Sequence, residues 1–497
     1  MRLALITILF AATAFAQNDA GEVAFANSGA PAAQQSFLHG LALLHDFEYP
    51  AAAAAFREAQ KIDPSFAMAY WGEAMTYTHP VWFQQDAAAA RAALQRLGAT
   101  AADRLAKAGM ERERDYLRAV DVLYGDGSKD DRDFKYADAM RAVHERYPDD
   151  VDATAFYALA LLGTSHQGRD FATYMRAAAL LEEVLPSHPN HPGVLHYLIH
   201  SYDDPIHAPL GMRAARRYGA VAPNAGHALH MTSHIFIAMG MWSDVIDANQ
   251  RAIAVVRKQR EARGKQTANC GHYPLWLYYA YLQAHRFDDA RTALDACRAS
   301  AFEAKFESAG EMDTYSGRIE SFADMRAHQI ASGGTLIAAD NVTIPPGPEL
   351  ANARFTMAYG DVLASRHDAA ALKAAVAHLH ELQKDALASS EHYHSMNPAR
   401  HIRAEVMVQQ ADALQLEAEG KRAESIALLE RTVKSELAMP FEFGPPVVEK
   451  PTYEILGDEL LAAGRAADAA AAYRMALERT PGRTSVVEGL ARASAKN

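Results

Sequence analysis

Five residues recur at identical spacing near the two ends of this chain. Gly40, Ala52, Phe56, Ala59 and Pro64 are matched by Gly457, Ala469, Tyr473, Ala476 and Pro481. That order fits two antiparallel helices. Small residues let the helices approach, the aromatic ring fills the space between them, and Pro closes the second helix because it cannot extend one. Between these ends apolar residues recur at spacings of three and four, with Ala-rich runs and short polar breaks. Such a period is that of amphipathic helices, and no stretch alternates as a half-buried strand does. The fold class predicted is all-α, a solenoid of helical hairpins.

The two matched units resemble the tetratricopeptide repeat, a 34-residue helix pair. Tyr70, Ala74 and Tyr77 continue the pattern into the next unit. Looser units follow, with first helices expected near 111–124, 151–163, 192–202, 226–239, 273–284 and 396–418. Ser332 to Pro348 and Met439 to Pro451 interrupt the array. The expected organisation is a signal peptide 1–16, a flexible leader 17–35, a first array 36–331, a linker or loop 332–350, and a second array 351–497.

Arg2 followed by the apolar run Leu3 to Phe15 and the small residues of Ala14-Phe15-Ala16 reads as an export signal, cleaved after Ala16. No later run is long enough to span a membrane. The expected location is periplasmic or secreted. Only two Cys are present, Cys270 and Cys297. In an oxidising compartment they are free to pair. The repeat register places Cys270 at the entrance of one helix and Cys297 at the end of its antiparallel partner, so a disulfide is expected. Two Cys exclude a thiolate metal cage. A formal charge of −12 with no basic block argues against nucleic acid or anionic membrane as partner.

Histidine is the unusual entry, with 22 copies. Its densest run is His196-Tyr-Leu-Ile-His200-Ser-Tyr-Asp203-Asp204-Pro-Ile-His207, followed by His227-Ala-Leu-His230-Met-Thr-Ser-His234. His196 and His200 share a helical face, as do His230 and His234. The two pairs are offset by 34 residues (196 to 230, 200 to 234), one repeat length. Stacked repeats make such positions neighbours. The tetratricopeptide resemblance implies that these histidines, with His227, His272, Asp203 and Asp204, line the concave face rather than the packing stripe of Leu195, Leu198 and Tyr202. Residues 188–242 also resemble exported bacterial tetratricopeptide proteins carrying a related histidine pattern, a likeness that names no substrate.

Two His at i, i+4 form a bidentate clip for Zn, Cu, Ni or Fe. The expected metal set is His196, His200, His230 and His234, aided by His227 or Asp203, with Zn or Cu foremost and Fe or Ni also suited. Asp204, His207 and His272 are expected to line the same groove. A metal-free polar groove, or a layer of core histidines, fits the same spacing. There is no H-E-x-x-H, haem-attachment, G-x-S-x-G or P-loop motif. His392, His394, His401 and Glu405 read as solvated or structural, and Trp71, Trp82, Trp242 and Trp276 as core. Two functions stay open: a solenoid taking a protein or peptide in its concave groove with a bound transition metal, and a periplasmic metalloenzyme, hydrolase or oxidase, using the same cluster. Ligand count separates them, since three protein ligands with an open position favour catalysis.

Overall fold

A computed structural model of the protein describes residues 16–303, 314–392 and 399–496. The expected signal peptide falls outside them except for Ala16, and so does His394. Among the described residues the chain forms 23 α-helices, joined into successive antiparallel hairpins of tetratricopeptide type. The first helices fall where the sequence places them, among them Glu111–Leu123, Val151–Leu162, Pro192–Tyr202, Gly226–Ala238 and His272–Gln283. Two minimal antiparallel pairs, Ala16–Asn18 with Gly21–Val23 and Thr78–His79 with Gln84–Gln85, are strands the sequence reading does not anticipate.

The matched residues do what their sizes dictate. A Cβ added at Gly40 or Gly72 would stand 3.0 or 2.4 Å from the Phe56 ring, and one at Gly457 or Gly489 would stand 2.6 or 2.5 Å from the Tyr473 ring. Each aromatic is thus wedged between glycines of successive first helices. Five hairpins share a three-residue turn whose central residue is left-handed: Phe47, Gly240, His285, Gly420 and Gly464. Glycine adopts that conformation freely, whereas Phe and His adopt it under strain.

Two hydrophobic cores run through the array, one from Ala20 to Ala353 and one from Ala331 to Ala493. The flexible leader expected over 17–35 is instead part of the first. Val23, Phe25 and Ala33 are buried, and Phe25 packs on Phe37, Trp71 and Tyr116 with the Arg112 guanidinium 3.9 Å above its ring. Burial of one aromatic anchor overrides the Gly, Ala and Asn content that suggested flexibility. Cys270 and Cys297 are joined, with Cα atoms 4.6 Å apart. No described helix is long and apolar enough to cross a membrane.

The array also closes on itself. The first hairpin turn, His45 to Glu48, packs against Pro192–Tyr202 and Gly226–Ala238. At the other end, Arg483 donates to Tyr279 at 3.1 Å and to Glu454 at 2.6 Å, and Thr484 donates to the Gln283 carbonyl at 2.5 Å.

Candidate metal centre

The helices Pro192–Tyr202 and Gly226–Ala238 are buried on every side. Helices that are apolar all round are interior ones, so their polar side chains must find partners inside the protein. Pro192 starts the first of them, and the His191 ring caps it by accepting from the Val194 N–H at 3.3 Å. The backbone at Gly193 passes so close to His45 that a Cβ there would meet its Nδ1 at 2.3 Å.

The repeat register is realised between His200 and His234, whose rings lie 5.6 Å apart. It does not extend to His196 and His230. The histidines group instead into two triads, His196–His200–His227 and His230–His234–His272, the nitrogens of each lying within 4.8 Å of one another, and a third group of the predicted residues, His200–Asp203–His234, bridges them. His227 and His272, placed by sequence as an auxiliary ligand and a groove residue, are the third members.

In the first triad the Nε2 atoms of all three rings are buried and accept no hydrogen bond among the described residues. Their other nitrogens are occupied. His196 Nδ1–H donates to the His45 carbonyl at 2.6 Å, which leaves a lone pair on Nε2. His227 Nδ1 lies 3.3 Å from the Tyr273 hydroxyl, and His200 Nδ1 lies 3.6 Å from Asp203 Oδ2. A carbonyl, a hydroxyl and a carboxylate behind three imidazoles are the outer partners that orient metal-ligating histidines. Bonds of ~2.0–2.1 Å keep two nitrogens on one ion within about 4 Å of each other. The 4.8 Å within which the triad's nitrogens lie exceeds that span by less than an ångström. The residues fit a transition ion.

Burial keeps five of these rings neutral. Burial, and then the neighbouring imidazole, pushes His196, His227 and His230 well below the ordinary histidine range. Burial lowers His234 to about 4 against the pull of Asp203, and burial with His234 beside it lowers His272 to about 3. Asp203 is also buried, which alone would raise it, but Arg169, His200 and His234 hold its carboxyl far below the usual range. Arg169 forms a buried ion pair with Asp203 and lies 3.5 Å from Asp204. Neutral imidazoles beside a fixed carboxylate are the ionic state that metal binding requires.

The concave groove expected at these histidines is filled by the chain itself. Phe47 lies 4.3 Å from the His196 ring and 5.6 Å from His227, Trp82 lies 5.7 Å from His227, and Phe443 lies 4.8 Å from His234. Gly444 follows with a φ of 101°, and a Cβ there would strike Trp276 at 2.5 Å, so the loop that seats Phe443 needs glycine. A peptide cannot lie on the histidines without displacing these segments. Access comes instead through a cavity of about 680 Å³ walled by Phe47, Tyr49, Tyr77, Trp82 and Tyr273, onto which His227, His272 and Glu48 face.

Asp204 and His207 are not groove residues. Asp204 accepts the backbone N–H of Ile206 at 2.9 Å and of His207 at 3.1 Å, and His207 Nδ1 at 2.8 Å, locking the loop before Ala208–Val221. His401 and Glu405 lie 3.6 Å apart on a half-exposed face. Trp276 is core as expected and also stacks on His234 at 4.5 Å. Residues outside the predicted site set complete the site. His45 and His191 both bond Asp152, at 2.9 and 3.2 Å, beneath His196. Asp46 accepts from Tyr218 at 2.7 Å, and Tyr218 stacks on His196. Glu48 accepts the His227 N–H at 3.1 Å. Four consecutive turn residues therefore brace the two histidine helices, and the one signal for them in the sequence is a Phe where three of the four sister hairpins carry Gly.

No family model and no curated protein matches the chain. Solved structures similar to it include yeast Tom70 (12% identity, 93% of this chain and 88% of that one, TM-score 0.37). Others are the Cut9–Hcn1 hetero-tetramer of the APC/C (13%, 94% and 78%, TM-score 0.34) and the human IFIT1 dimer with m7Gppp-AAAA (11%, 95% and 91%, TM-score 0.36). The helix pairs and their glycine-wedged aromatics carry the architectural assignment.

Proposed function

We propose that this chain is an exported metalloenzyme that acts on a small molecule admitted to the aromatic cavity, with a transition ion held by His196, His200 and His227. The observation that carries this is the grouping of three histidines with orphaned, buried Nε2 atoms, one of which, His227, lines that cavity. Three protein ligands with one side open is the catalytic arrangement, whereas a closed set of four is the structural one. A bound ion supplies Lewis acidity at the cavity wall. Glu48 faces the same cavity, and burial raises its carboxyl against the pull of the His227 and Gly226 backbone N–H groups, which suits it to take up or release a proton there. Phe47, Tyr49 and Trp82 supply flat apolar walls that favour a planar substrate. Export is supported by the leader composition and by the Cys270–Cys297 pair, since disulfides persist in oxidising compartments.

Untagged protein recovered from the periplasm tests the reading. It should carry a transition ion that His196→Gln or His227→Gln removes, and azide added to the cobalt(II)-loaded form should shift its visible bands through the open position. Metal-free protein that takes up no ion after export, or bands that azide leaves unmoved, would overturn it.

A further inference from the structure

The second triad contains a conflict that a cation resolves. His230 and His234 face each other through their Nε2 atoms at 3.2 Å. Their Nδ1 atoms are both committed as donors. Asn249 offers its carbonyl oxygen to His230 Nδ1 at 2.7 Å, and its orientation is fixed because its amide nitrogen donates to the Val245 carbonyl at 2.9 Å. Asp203, an ionised carboxylate, accepts from His234 Nδ1 at 2.9 Å. In neutral rings the proton can sit on one nitrogen alone, so both Nε2 atoms carry lone pairs aimed at one another. His272 completes the group, its ring 4.6 Å from His230 and 6.5 Å from His234. The two facing rings are both buried, with the Trp276 ring 4.8 Å from His230 and 4.5 Å from His234.

We infer that the histidine cluster holds a second transition ion, bound by His230, His234 and His272 beside the ion of the first triad. This rests on the reading of the first triad as a metal centre. Asp203 ties the two sites together, with Oδ2 facing His200 of one triad and His234 of the other. The six imidazoles form a donor set for imidazole-seeking ions, among which copper(II) binds tightest. His227 and His272 face the same cavity, so both ions are reached from it.

Untagged protein is stripped of metal, titrated with copper(II) over excess glycine to suppress surface binding, desalted, and its ions per chain are counted by mass spectrometry. Wild type should hold two ions, and His272→Gln and His227→Gln one each, with helicity retained by circular dichroism. One ion in wild type that His227→Gln removes and His272→Gln does not would overturn the second site and leave the first standing. Two ions retained in His272→Gln would place the second ion elsewhere and also overturn it. No ion in wild type would remove the first reading as well. Cobalt(II) titration of wild type gives an independent count, with a break at two equivalents expected and a break at one contradicting the proposal, whether or not the variants fold.

Discussion

Asp203 accepts the Nδ1–H of His234 at 2.9 Å while its other oxygen is held by the buried Arg169 guanidinium. One carboxylate thus orients a histidine on the first helix of the following hairpin and is itself kept ionised by a cation from the preceding hairpin. Arg169→Met should leave that carboxylate buried without its counter-ion. The expected loss of stability is about 3–5 kcal/mol, and the expected loss of metal affinity is about 10–100-fold. Urea unfolding and competitive metal titration measure the two separately. Affinity unchanged in a folded variant would show that Asp203 does not orient the ligands.

Acid should act on the metal-free protein before it acts on the loaded one. Burial holds His234 near 4 and His272 near 3 in the fold, against ~6.5 when unfolded. The unfolded chain therefore binds more protons as pH falls below ~6.5. Apo stability is complete above that value and declines toward pH 4, by up to about 1.4 kcal/mol per pH unit for each such group. Melting temperatures from pH 8 to 4 should fall on this slope, and saturating metal should flatten it. An apo melting curve that is level between pH 7 and 5 would contradict the burial of neutral rings.

Phe47 occupies a left-handed turn position that three of the four sister hairpins give to glycine. Backbone strain at a position whose ring covers a site is a trade of local cost for function. Phe47→Gly should relax the turn yet lose the buried ring, a net destabilisation of roughly 2–4 kcal/mol. The bound ion should then exchange with chelator at least tenfold faster, by stopped-flow. Exchange at the wild-type rate would show that the ring does not cover the site.

The disulfide anchors the approach to His272, since Cys270 lies two residues before it and also faces the cavity. Denatured, unreduced protein should titrate no free thiol. Reduction should cost roughly 3–4 kcal/mol in the chain-entropy model and weaken metal binding by His272 more than by His196. Equal effects at both triads would separate the disulfide from the site.

The fold was legible wherever it depends on neighbours in sequence. Glycine-wedged aromatics, the places of the first helices and the 34-residue offset of His200 and His234 follow from repeat register alone. The grouping of the histidines was not legible. His196 turns to His227 because the His45 carbonyl and the Phe47 ring arrive from the first hairpin, about 150 positions away in the chain. The cover supplied by Phe443 comes from still farther in the other direction, in a segment whose Phe-Gly-Pro-Pro composition reads as a break. Residues 17–35 were misread for a related reason: one buried ring, Phe25, outweighs their loop-forming neighbours.

The closure of the array alters how it comes apart. Open repeat stacks behave as one-dimensional chains and fray from their terminal units. Here the His45–Glu48 turn and the Arg483–Thr484 corner are each clasped to interior helices. A frayed end must first break a buried polar contact more than a hundred residues away in sequence, so the penalty for local opening is carried into the middle of the protein. Amide exchange at the two ends should accordingly be as slow as at the histidine helices, and thermal melting should be one transition rather than a series of unit-by-unit steps.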